Sequence, residues 1–276
     1  MGKIFQGSFS QVKDAISESF ATNAYKDMQK LNFGRVLISG GFSIVCTYAL
    51  FVFGWYMSGD FEEPTVPIDI NNEFRNIASS IWYVHAFALF QIIGYTTALA
   101  YSRKDNVKSF LVMNIALTAF TVFIVLYFFK IGQLIVYNFS IRIIYDVILL
   151  ATLLFVGNKI YRNAMEMVYG TKKKRSAIAE WVSANQKLVI GSLFGIWGLS
   201  KIIEAVFGLD EIDFETRMIG AIIEFFPLIA CGVSFVFIYM FGNLIRSFYL
   251  NKYSEEFRLM FDVEKDDWYG IKLKSK

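Results

Sequence analysis

The stretch SFLVMNIALTAFTVFIVLYFF, residues 109–129, contains no charged side chain and is flanked by Lys108 and Lys130. At 1.5 Å per residue a helix of this length rises about 30 Å, the thickness of a bilayer's hydrocarbon core. Lipid offers no hydrogen-bond partner to an open backbone, so a segment that crosses it is helical. Five further stretches read the same way: 36–57, 79–100, 137–157, 188–208 and 218–245. The expected fold is therefore all-α, a polytopic integral membrane protein of about six transmembrane helices.

Composition agrees. Charged residues make up 18% of the 276 and hydrophobic residues 55%, whereas a soluble domain needs roughly 25% charged residues to face water. Disordered chains are apolar-poor, which excludes that class. Two cysteines are too few for a disulfide scaffold. The N-terminal segment has no short apolar core followed by small residues, so no cleaved signal is expected.

Orientation follows from Lys and Arg. All the basic residues except Arg75, Lys130, Arg142, Lys201 and Arg217 fall on four segments: 1–35, 101–108, 158–187 and 246–276. These four lie on one side of a six-span topology. The opposite loops are acidic, with Asp60, Glu62, Glu63, Asp69 and Glu73 in one and Asp210, Glu211, Asp213 and Glu215 in the other. Both termini are expected in the cytoplasm, and a bacterial cytoplasmic membrane suits this asymmetry best.

Three regions result. Residues 1–35 form a cytoplasmic arm, 36–245 the six-helix domain with the long connection 158–187, and 246–276 a cytoplasmic tail. In the arm, Val12, Ile16 and Phe20 recur at helical spacing after Ser10, which predicts an amphipathic helix over 11–29 capped by that serine. It is expected to pack on its own bundle. The tail carries Phe248, Tyr253, Phe257, Phe261, Trp268 and Tyr269 among mixed charges. It is too short for a core of its own, so it is expected to dock on this chain or on a protein partner. The run Lys172, Lys173, Lys174 and Arg175 can attract anionic lipid, at about 1 kcal/mol per charge, though such runs also serve simply to set topology. A net charge of +3 with no aromatic-interleaved basic surface argues against nucleic acid.

Ionisable groups inside spans cost about 2.5–3.5 kcal/mol each on insertion scales, which makes them functional candidates. They are His85, Arg142, Asp146, Lys201, Glu204 and Glu224. Asp146 is expected near mid-bilayer and the others toward the outer face, with an apolar inner half. That distribution suggests a polar cavity open to the outside. Glu224 precedes Pro227 by one turn, and a proline there can kink the helix. Equally, three cations and three anions can pair and simply hold helices together. Gly40 and Gly41, and Gly191 with Gly195, permit close helix packing.

Catalytic signatures are missing. The chain has no HExxH, no GxSxG and no phosphate-cradling glycine loop. One His and two cysteines in separate spans, Cys46 and Cys231, make no metal or haem set. No cofactor is expected, and enzymatic activity is not. The leading expectation is a small transporter or channel-type protein for an ion or small polar solute. The alternative is a non-catalytic membrane subunit or sensor scaffold of a larger complex.

Overall fold

A computed structural model describes residues 2–59, 81–135, 139–170 and 226–270, and every regular element among them is helical. Two helices precede the first span, α1 (Phe9–Val12) and α2 (Glu18–Gln29). The long helices are α3 (Phe33–Gly59), α4 (Ile81–Tyr101), α5 (Asn106–Ile135) and α6 (Phe139–Tyr169). After these come α7 (Phe226–Val233) and α8 (Val236–Lys252), then the short α9 (Ser254–Met260) and α10 (Lys265–Tyr269). Among the described residues, five segments are long and apolar enough to cross a membrane; α7 and α8 together supply one of them, Pro227–Lys252. The expected span 188–208 lies outside the described residues.

Local chemistry sets the helix starts. Asn32 Oδ1 accepts the Arg35 N–H at 2.9 Å and begins α3. Asp105 Oδ1 accepts the Lys108 N–H at 2.9 Å and begins α5. In both cases a short side-chain oxygen satisfies a donor that the first helical turn leaves open.

The arm departs from its expected form. One amphipathic helix over 11–29 is replaced by α1, a 3₁₀ turn at Lys13–Ala15, an extended Ile16 and then α2. Ser17, not Ser10, caps the main helix, accepting the Phe20 N–H at 3.2 Å. Val12 and Ile16 both enter the core, and after the break α2 buries a stripe of its own, Ala21, Ala24, Tyr25 and Met28.

Two span boundaries also move. The helix expected over 137–157 runs on to Tyr169, because Ala164 and Val168 keep packing beyond the apolar stretch. The last span ends at Lys252 rather than 245. It is interrupted at Ser234 and Phe235, where the N–H groups of Phe235, Phe237 and Ile238 bond three residues back and the Ser234 hydroxyl donates to Cys231 O at 2.6 Å. A side chain competing for the ladder explains this tight turn.

Helix α5 is central. It packs on α4, α7, α8 and α2, while α3 lies against α4 and α6 against α8. One core cluster fills the middle of the bundle: Val125 and Phe129 of α5, Tyr145 and Val156 of α6, Ala230 and Cys231 of α7, and Phe237 of α8. The stack of Phe87 on Phe123, with centroids 4.0 Å apart, joins α4 to α5. Gly40 faces the Tyr95 ring, the close approach of α3 to α4 expected from its missing side chain.

The second core lies where the two chain ends meet. Val12, Ile16, Ala24 and Tyr25 of the arm pack with Val107, Val168, Tyr249, Leu250, Phe257 and Trp268. We call this the terminal end of the bundle. The tail docks on its own chain here, on α2 and α5. Polar contacts lock it: the Tyr253 hydroxyl donates to Gly7 O at 2.6 Å, Lys252 Nζ to Phe5 O at 3.1 Å, and Gln29 Nε2 to Asp267 O at 2.8 Å.

Candidate functional site

Polar side chains gather at three places. The first is toward the far end of the bundle. Lys130 Nζ of α5 stands 3.9 Å from Asp146 Oδ1 of α6. Both side chains are more than half accessible, 55% and 56%. Asp146 is about 10 Å along α6 from Phe139 at 1.5 Å per residue. Its partner lies about 36 Å along α5 from Asn106, more than the thickness of a hydrocarbon core. The pair therefore lies toward the end of the bundle away from the chain termini.

Arg142 lies on α6 one turn before Asp146, and its side chain falls outside the described residues. So do Lys201, Glu204 and Glu224. Of the expected pathway residues, the structure thus places Asp146 and His85. It does not bring these two together. His85 of α4 shares a hydrogen bond through Nδ1 with the Tyr48 hydroxyl of α3, on an exposed flank of the bundle. Sequence reading passed over Lys130 as a span-end residue, yet it is the described partner of Asp146.

The second place is the buried row between α3, α4 and α5. Ser43, Thr47 and Gln91 are buried there. The Thr47 hydroxyl donates to Ser43 O, and Gln91 Nε2 reaches Ala116 O at 3.4 Å. The first of these lies within α3, and the second ties α4 to α5.

The third is a groove of about 860 Å³ at the terminal end, bounded by the arm, α6 and α8. Gln11 and Asp14 come from the arm, Asn163 and Glu166 from α6, and Arg246 from α8. Below this polar rim the walls turn apolar, with Ile160, Phe235, Ile238 and Tyr239. The Arg246 guanidinium lies 5.9 Å over the Phe20 ring. Its Nε is buried, with no hydrogen-bond partner among the described residues. No sequence motif marks the groove. Asn163 and Glu166 are three apart on one helix, and Gly242 and Arg246 four apart on another; only their packing joins the two pairs.

Among the described residues, no three His, Cys, Asp or Glu side chains are grouped so as to hold a metal ion. No protein-family model matches the chain, and neither does any curated protein or solved structure.

Proposed function

We propose that the protein is a small transporter or channel-type protein for an ion or small polar solute. It sits in a bacterial cytoplasmic membrane with both termini in the cytoplasm. The supporting observation is the Lys130–Asp146 pair, two charges on different spanning helices, 3.9 Å apart and both accessible. A pair kept only to join helices gains from burial; this one is more than half exposed. On the orientation read from Lys and Arg, it stands at the outer mouth, with Arg142, Lys201, Glu204 and Glu224 as further candidates for the route. The run Lys172–Arg175 would rest on anionic lipid at the opposite face.

Magnitudes separate this reading from a structural one. An exposed pair is worth about 0–1 kcal/mol, so Asp146→Asn should barely move thermal stability. Its effect on flux should be about tenfold or more if the carboxylate touches the solute. The experiment is reconstitution in proteoliposomes, with currents of H⁺, Na⁺, K⁺ and Cl⁻ and uptake of a labelled amino-acid mixture measured for wild type, Asp146→Asn and Lys130→Gln. Absence of any wild-type flux, or variants with unchanged flux, overturns the proposal.

One observation favours the scaffold alternative. Leu259 and Met260 of α9 are 67% and 47% exposed outside the spanning segments, an apolar pair suited to a partner. Against it, Phe257 and Trp268 are spent on the arm and fully buried. A stoichiometric co-purifying protein that Leu259→Ser releases would select this reading.

A further inference from the structure

The groove at the terminal end has a shape and a charge pattern that neither reading above uses. Along α8, its lining runs from Phe235 to Arg246, about 16 Å at helical rise. That matches one leaflet, half of a ~30 Å core. The polar residues sit at the end nearest the chain termini and the apolar ones toward the bundle middle. A ligand filling this groove has one polar end and one hydrocarbon end, in the orientation of a lipid.

Charge decides which lipid. Arg246 supplies one cation on the rim. Asp14 and Glu166 supply two carboxylates on the same rim, neither of them ion-paired among the described residues. A phosphate satisfies Arg246, since guanidinium–phosphate hydrogen bonds are strong and directional. An anionic head group would then meet two uncompensated carboxylates. A head group that also carries a primary ammonium satisfies all three. We propose that the groove binds phosphatidylethanolamine, its phosphate on Arg246, its ammonium between Asp14 and Glu166, and an acyl chain along Ile238 and Tyr239.

Gly242 makes the proposal testable without unfolding the protein. It lines the groove, and a Cβ added there meets nothing within 4 Å. Gly242→Phe therefore starts from an open Cβ position and projects its ring into the groove, and it replaces a poor helix former by a better one.

The test is native mass spectrometry of the full chain in mild detergent, titrated separately with dioleoyl phosphatidylethanolamine, phosphatidylcholine and phosphatidylglycerol. The wild type should retain the ethanolamine lipid about threefold better than either of the others, the scale of exposed charge pairs. The trimethylammonium of choline cannot donate a hydrogen bond, and phosphatidylglycerol has no cation. Asp14→Asn with Glu166→Gln should erase that preference. Arg246→Gln should weaken all three lipids about tenfold. Gly242→Phe should remove one bound lipid at unchanged thermal stability. Equal retention of the three lipids overturns the proposal, and so does unaltered retention in Gly242→Phe. Soluble glycerophosphoethanolamine should not compete; if it displaces the lipid at equal concentration, the groove serves a water-soluble ligand and the assignment falls.

Discussion

Tyr249 and Gly7 lie 242 positions apart and share a hydrogen bond of 3.0 Å, from the Gly7 N–H to the phenol oxygen. The same hydroxyl donates to Ile4 O. A single phenol on the last spanning helix thus holds the arm by one donor and one acceptor. Tyr249→Phe removes both and leaves a buried N–H and a buried carbonyl open, at a cost of about 1–3 kcal/mol for each group left unsatisfied. Gly7→Ala should act on the same contact from the other side, because a Cβ there would stand 2.5 Å from Val168 Cγ1 and 3.0 Å from the Tyr249 oxygen. Val168 is fully buried and β-branched, so it cannot swing away. Limited proteolysis in detergent should show residues 2–16 cut first in both variants, with the spans intact. An arm as protected as in the wild type would refute the clasp.

The other half of the clasp centres on Asp267, whose carbonyl accepts from Gln29 at 2.8 Å and from the fully buried Asn106 at 3.1 Å. Gly270 makes this possible. Its φ of +69° is a left-handed conformation, and an added Cβ would lie 2.7 Å from the Asn106 amide. Gly270→Ala combines backbone strain with a clash, at about 1–3 kcal/mol. Trp268→Ala, which empties a fully buried indole site and drops its 2.8 Å bond to Ser254, should cost about 3–5 kcal/mol. Thermal unfolding should rank Trp268→Ala below Gly270→Ala, and both below wild type. The reverse order would mean that the tail is held by backbone geometry more than by its core.

Residues differ in how far the sequence could foretell these roles. The span over 109–129 is legible because lipid demands an apolar run of set length, and α5 follows it. The clasp was not. Tyr249, Gly7 and Trp268 carry no local signal of pairing, because their contacts join distant parts of the chain and periodicity reports only on neighbours along one helix. Ser17 prevailed over Ser10 as a cap because the arm breaks at the 3₁₀ turn and the extended Ile16, a bend that helical spacing does not report. The Lys130–Asp146 contact was not legible, because hydropathy does not report which side chains two neighbouring helices bring together. Arg246 looked like one more topological cation until α6 and the arm were seen to converge on it.

Acidity should loosen the tail through Glu255. Arg258 Nε donates to Glu255 Oε2 at 2.7 Å, and this bond, aided by one from Tyr269, holds the carboxyl below its ordinary value. A carboxylate with a lowered folded value contributes stability that is fully present above the unfolded value, about pH 4.3–4.5. That contribution disappears as pH falls through the folded value. Burial pushes the Tyr269 phenol up, and Glu255 adds to the shift. Its contribution is present below about pH 10 and is lost as pH rises through the folded value. The tail should therefore be tightest between these limits. Hydrogen exchange of residues 254–269, normalised to intrinsic rates, should be level from pH 5 to 8 and quicken below about pH 4. Glu255→Gln should exchange faster at neutral pH and lose the acid step, because an amide cannot be protonated in that range. If the variant keeps the acid step, another carboxylate controls the tail, and the Glu255–Arg258 contact is an ordinary surface pair.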